Sequence, residues 1–276
     1  MKALLILCIS GAVLAQTPAP AKKAPATGTP APAAATAATP VKTAPPSAAL
    51  LNPAAQKAKA PDLFRVKFAT THGDFVVEVH RDWAPLGADR FYNLVKVKFF
   101  TDNAFYRYSP GFIVQFGVAA NPAVTAAWAK AAIKDDPVKE SNKEATLTFA
   151  TSGKDSRTND FFINLKDNGS SLDALGFSPL GTVTEGMDIV KGLYSGYGEM
   201  KEMNGNGPSQ TLLMNQGKAY LDKSFPKLDS IKSATVIFPE PTASAAPGVK
   251  KAAPGATGTT GAAPKSATPP APAKKQ

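Results

Sequence analysis

Residues 61–238 of this chain predict a mainly β domain, one mostly antiparallel sheet or barrel carrying two amphipathic helices. Three observations predict it. Apolar residues alternate around Phe64, Val66 and Phe68 and are followed, after Thr71-His72-Gly73-Asp74, by the run FVVEV. Short apolar runs bounded by Gly, Pro, Asn or Asp then recur to the end of the segment, and two stretches have helical spacing. These 178 residues suffice for one hydrophobic core and are too few for two comfortable ones.

In order, Phe64, Val66 and Phe68 alternate with Arg65 and Lys67 and pair with residues 75–79 as a hairpin whose turn contains Gly73. Pro85 opens the first helix, with Leu86, Phe91, Leu94 and Val95 on a buried face and Asp89, Arg90 and Asn93 between them. Further strands are expected at residues 112–116, 145–150, 161–165, 180–183 and 234–238. A second helix is expected after Thr184, with Glu185 in its first turn and Met187, Ile189 or Val190, and Leu193 buried. No internal repeat or long heptad run is present.

The flanks differ in kind. Residues 1–15, MKALLILCISGAVLA, carry Lys2, an apolar run and small residues Val13 and Ala15, which predicts a signal peptide cleaved before Gln16 and hence an exported, periplasmic or otherwise extracytoplasmic protein. The apolar run is far short of the roughly 20 residues that span a bilayer. Cleavage removes Cys8, the chain's one cysteine, and with it any disulfide, thiolate nucleophile or cysteine metal site. Residues 16–60 and 239–276 hold 17 of the 25 prolines and are rich in Ala, Thr and Lys, so they are expected to be disordered spacers. Residues 61–238 contain 20 basic and 20 acidic residues, so the +10 net charge belongs to the flanks. That distribution gives no nucleic-acid groove on the domain. It fits solvated linkers, with at most a weak contact to an anionic envelope surface.

Two blocks carry polar residues placed too regularly for strand decoration: FYRYSPGFIVQFG at 105–117 and LTFATSGKDSRTNDFFINL at 147–165. They resemble the two signature blocks of cyclophilins. The opening hairpin, the Pro85 helix and the segment from Leu172 to Val190 occur in the family order, so the resemblance spans nearly all of 62–238; the insert DDPVKESNK at 135–143 is similar to a bacterial subgroup. The resemblance implies an eight-stranded antiparallel β-barrel with two capping helices, acting on X-Pro bonds of polypeptides; separately, the chain is expected to be a monomer and to need no cofactor or metal. Carried over by position, Arg107 is the catalytic arginine, Phe112 the main wall of the proline pocket and Gln115 a backbone-binding side chain. Ala150 and Thr151 supply backbone contacts, and Phe161, Leu172 and Phe177 line the pocket.

Residue by residue, duller readings stand beside these: an ordinary ion-paired arginine at 107, core aromatics at 112 and 161, an edge-strand glutamine at 115. Strict alternation puts Gln115 and Phe112 on opposite faces, so a bulge or strand twist is needed if both meet substrate. Two departures concern the second block, where Thr151 replaces the family's usual Asn and Asp160 a frequent Gln; Asp160 is expected beside the pocket, paired with Arg107 or Arg157 and competing with substrate. Ser171 replaces a Trp of many eukaryotic members, which implies weak cyclosporin affinity. His72 and His80 read as structural, and Trp83 and Trp128 as packing residues. Neither a phosphate loop, a zinc-ligand spacing nor a Ser-His-Asp set is present, which argues against a hydrolase or nucleotide enzyme. The alternatives to an isomerase are a non-catalytic proline-peptide-binding or chaperone module and a tethered envelope component whose tails are the working parts.

Overall fold

Alternation builds the first strand: in β1 (Leu63–Thr70) Phe64, Val66, Phe68 and Thr70 are buried while Leu63, Arg65 and Lys67 face solvent. A computed structural model describes residues 45–239. The predicted signal peptide, the linker up to residue 44 and the tail after residue 239 lie outside the described residues. Hydrogen bonds of the Thr70 hydroxyl with His72, Gly73 and the Gly73 carbonyl tie the turn that leads into β2 (Asp74–His80), and the hairpin pairs Leu63 with His80 through Ala69 with Asp74. β3 (Arg107–Ser109), β4 (Ile113–Phe116), β5 (Thr146–Phe149), β6 (Phe161–Asn164), β7 (Pro179–Glu185) and β8 (Ile231–Phe238) complete one antiparallel sheet in the order β3-β4-β6-β5-β7-β2-β1-β8. The sheet curls until its ends approach: Ala104 bridges Ser230, and backbone bonds join Asp102 to Ile231 and Phe105 to Asp229.

Six α-helices accompany the sheet among the described residues: α1 (Pro85–Lys96), α2 (Pro122–Trp128), α3 (Gly169–Leu172), α4 (Met187–Gly192), α5 (Gln210–Gln216) and α6 (Lys218–Ser224). The expectation of two helices holds for α1 and α4 and misses the others. In α4, Val190 is the buried choice, followed by buried Leu193. α1 buries Phe91, Leu94 and Val95 as predicted, whereas Leu86 is exposed and Asn93 buried.

That inversion corrects the domain boundary. Asn93 exchanges hydrogen bonds with the backbone of Ala58, Asp89 accepts the Ala60 N–H, and Trp128 Nε1 donates to the Leu50 carbonyl. Residues 47–60, expected from composition to be disordered, are thus pinned to α1 and α2, because those side chains satisfy backbone groups that a solvated linker leaves to water. Trp128 is a core residue, stacked edge-on against Phe99. At the centre, Phe64, Phe68, Phe75, Phe91, Phe100, Phe116 and Phe161 form one aromatic cluster with ring centroids mostly 5–6 Å apart, a spacing that favours tilted and edge-to-face contacts.

Candidate active site

Outside the central core, four strands present a row of register partners on one face: Arg107 on β3 opposite Gln115 on β4, Gln115 opposite Phe162 on β6, and Phe162 opposite Thr148 on β5. Directly opposed residues share a face with Cβ atoms roughly 4.5–5.5 Å apart. A second apolar cluster lies on that face: Ile113, Ala150, Phe162, Leu172 and Phe177 are buried, with Phe112 half-buried against them. The rings of Phe162 and Phe177 meet edge to face at 5.7 Å.

The bulge is absent. Phe112 precedes β4, in a turn closed by its own N–H on the Ser109 carbonyl, so strand alternation does not govern its direction, and the β4–β6 register runs unbroken from Ile113 to Phe116. Phe161 is the clear correction. It is wholly buried in the central core against Phe91, Phe100, Phe116 and Phe149; its neighbour Phe162, one step along the strand and hence on the other face, joins the cleft cluster. Ile113 is a second cleft residue that sequence reasoning misses. Leu172, Phe177 and Ala150 lie in this same cluster, Ala150 donating its N–H to the Asp160 carbonyl. Thr151 is half-exposed beyond the end of β5, its hydroxyl bonded to the Gly153 carbonyl and Ser156 Oγ in a tight loop.

The cleft is held from behind by buried asparagines. Asn168 Nδ2 donates to the Phe112 carbonyl and to Asn164 Oδ1, Asn164 Nδ2 donates to Asn142 Oδ1, and Asn142 Nδ2 donates to the Phe177 carbonyl and Asp173. Asn142 belongs to the insert at 135–143. Through it, that segment links the turn bearing Phe112 to the loop bearing Phe177.

Arg107 is 1% exposed. Its Nε and Nη2 donate to the two carboxylate oxygens of Glu199 at 2.5 and 2.9 Å, and Nη1 donates to Gln115 Oε1 at 3.0 Å. Three of five guanidinium N–H bonds are thereby engaged, with one left on each terminal nitrogen. Gln115 Nε2 donates onward to the Tyr106 hydroxyl at 2.7 Å and to Asp160 Oδ2 at 2.9 Å. Asp160 Oδ2 also accepts from the Tyr106 hydroxyl at 2.6 Å and from Gln210 Nε2 at 3.1 Å. Asp160 therefore does not pair directly with either arginine, contrary to expectation. It reaches Arg107 through Gln115, while Glu199 is the ion partner of Arg107, and Arg157 pairs with Asp136 and Asp135. Asp160 and Gln210 also line a cleft of about 250 Å³ with Val118, Ser152, Thr158 and Met214.

Burial pushes the Asp160 carboxyl up to about 6, against the opposing pull of the Tyr106 and Gln115 hydrogen bonds and the Arg107 charge. A carboxyl whose value in the folded chain exceeds the roughly 3.9 of an unfolded one binds its proton more tightly when folded. It favours the fold at acid pH, and that contribution is lost as pH rises from about 4 through 6. Relative to Asp160→Asn, the wild-type chain should lose on the order of 2–3 kcal/mol of unfolding free energy between pH 4 and pH 7. Denaturant titrations at both pH values check this; a wild-type-minus-variant difference independent of pH would contradict it.

Tyr106, Glu199 and Gln210 escape the reading of the sequence, though Tyr106 lies inside the first signature block and Ser209, the N-cap of α5 that accepts the Leu212 N–H, is a readable helix-start signal.

Residues 65–214 match the family model described as cyclophilin type peptidyl-prolyl cis-trans isomerase/CLD, more than half of the chain. A peptidyl-prolyl cis-trans isomerase of Acinetobacter baylyi is 36% identical over 131 residues, which is 45% of this chain and 69% of that protein. Peptidyl-prolyl cis-trans isomerase B of Escherichia coli is 32% identical over 148 residues, 50% of this chain and 90% of that protein. Peptidyl-prolyl cis-trans isomerase A of Dickeya dadantii is 29% identical over 164 residues, 55% and 83% of the two chains. With a curled eight-stranded antiparallel sheet and a family model that covers both signature blocks, this chain belongs to the cyclophilin-type peptidyl-prolyl cis-trans isomerases.

Proposed function

We propose that the protein accelerates cis-trans interconversion of X-Pro bonds in exported polypeptides, with Arg107 as the catalytic residue and the cluster around Phe112 and Phe162 as the proline-holding surface. Rotation about a peptide bond is opposed by about 18–20 kcal/mol because it destroys amide resonance. No bond has to break. A site that binds the twisted amide better than either planar form is sufficient, without nucleophile or metal. In the twisted form the prolyl nitrogen regains a localised lone pair, which a guanidinium N–H beside it can hydrogen-bond and which a planar amide does not offer. Arginine suits this role because it stays protonated across the physiological range.

The observation that carries the reading is the cross-strand row Arg107, Gln115 and Phe162, which sets the guanidinium on the same face as the apolar cluster of Ile113, Ala150, Leu172 and Phe177. The pyrrolidine ring is held by the apolar side chains while the carbonyl before it swings. Export rests on the signal-peptide pattern of residues 1–15, and outside the cytoplasm slow X-Pro steps of tens of seconds limit folding just as they do within it. The domain is read as a monomer joined to basic tails that make at most weak contact with anionic surfaces.

One observation favours the second reading, a peptide-binding module without rate enhancement: the guanidinium is almost wholly buried and already faces a carboxylate. The test expresses the chain with its own N-terminus, sequences the secreted product and measures X-Pro isomerisation with it. A mature terminus at Gln16 and a rate well above the spontaneous one are expected. Retention in the cytoplasm would remove the exported role, and a spontaneous rate would leave the binding module.

A further inference from the structure

The guanidinium of Arg107 is held by a segment that the two signature blocks do not contain. Residues 194–228 pack against the chain just before β3 and just after β4: Met200, Leu213, Leu221 and Phe225 form a separate buried cluster with Ala104, Tyr106 and Val118. Glu199 stands at its inner edge, with a side chain 26% exposed. Its carboxylate accepts from Nε and Nη2 of Arg107 side-on, and Oε1 also accepts the Met200 N–H at 3.0 Å.

The backbone behind Glu199 is fixed as well. Gly207 donates its N–H to the Glu199 carbonyl at 2.8 Å, and Gly205 donates to the Met200 carbonyl at 2.9 Å. A Cβ on Gly205 would collide with the Glu199 carbonyl group, so the loop closes around Glu199 only with glycine there. Gln210, buried on α5, adds hydrogen bonds to Tyr106 and Asp160. Lifting this segment would expose Met200, Leu213 and Phe225 and unpair Gln210, so it is a built-in wall and not a strap that opens. That packing holds Glu199 facing Arg107.

We infer that Glu199 is a positioning residue for the isomerisation, holding the Arg107 guanidinium in one plane so that the N–H left on each terminal nitrogen is aimed at the substrate amide. The inference rests on the reading of Arg107 as catalytic. A long arginine side chain has rotamer freedom to lose, and a bidentate carboxylate removes it before substrate arrives, whereas Gln115 alone fixes one nitrogen. Misplacement of a reacting group by about 1 Å costs on the order of 100-fold in rate.

The experiment is a double-mutant cycle in the full chain with a short X-Pro peptide, reading kcat and KM by exchange NMR beside the thermal midpoint. Glu199→Ala is expected to lower kcat about 10- to 100-fold with little change in KM, and Glu199→Asp to restore part of it. In an Arg107→Ala background, Glu199→Ala is expected to change the rate by less than about twofold, because residues acting as a unit are not additive. Glu199→Gln keeps the shape and guards against a fold defect. Three results would overturn the inference while leaving Arg107 catalytic: full activity in Glu199→Ala, increased activity, which would make Glu199 an inhibitory latch, or an equal loss in both backgrounds, which would make its role structural. A fully active Arg107→Ala would instead overturn the catalytic reading itself, and this inference with it.

Discussion

Replacing Arg107 by alanine is expected to lower kcat/KM for an X-Pro peptide by roughly 10²–10³-fold, the range found when one preorganised donor to a transition state is removed. The loss should fall on kcat. Ile113, Ala150, Phe162, Leu172 and Phe177 pack against one another, so the surface that holds the proline ring is expected to stay intact and peptide binding to survive. Arg107→Lys should recover little, because one ammonium cannot satisfy both oxygens of Glu199 and Gln115 Oε1 in the planar arrangement the guanidinium provides. Steady-state kinetics with separate kcat and KM check the prediction, and a variant that turns over at the wild-type rate would refute it.

The second large effect separates two adjacent phenylalanines. Phe161→Ala should destabilise the domain by about 3–5 kcal/mol, as the truncation of a fully buried aromatic does. Four rings, those of Phe91, Phe100, Phe116 and Phe149, lose their partner. Well below its unfolding midpoint, the surviving folded protein should keep its KM. Phe162→Ala should raise KM instead, because it opens the cleft cluster and unseats Phe177 and Phe112. Urea unfolding and peptide titration of both variants decide the matter; a raised KM in Phe161→Ala with stability unchanged would reverse the assignment.

That pair also marks where the sequence stops being informative. In β1 one face is solvated, so alternation of Phe64, Val66 and Phe68 with Arg65 and Lys67 displays register and face together. In β6 every residue is buried, and two neighbouring phenylalanines then carry no mark of which looks into the core. The arginine-bearing block is legible because Arg107, Phe112 and Gln115 lie within nine residues of one another. Glu199 stands 92 positions from Arg107 and Gln210 lies 50 from Asp160, and no periodicity records such pairs. Composition misleads at residues 47–60, where a spacer-like stretch is ordered by Asn93, Asp89 and the Trp128 indole, each contributing through a single polar group. For Asp160 the sequence indicates the neighbourhood of Gln115 and Arg107 but not the partners, since the choice between Arg107, Arg157 and Tyr106 depends on how β3 and β4 face the 152–160 loop.

The most direct measurement is magnetisation-transfer NMR on a short X-Pro peptide in the presence of a small molar fraction of the full chain. Cis and trans signals are expected to exchange far faster than the spontaneous process of tens of seconds, with exchange abolished by an excess of unlabelled competitor peptide. Peptide resonances that shift on binding while still interconverting at the spontaneous rate would contradict catalysis by Arg107.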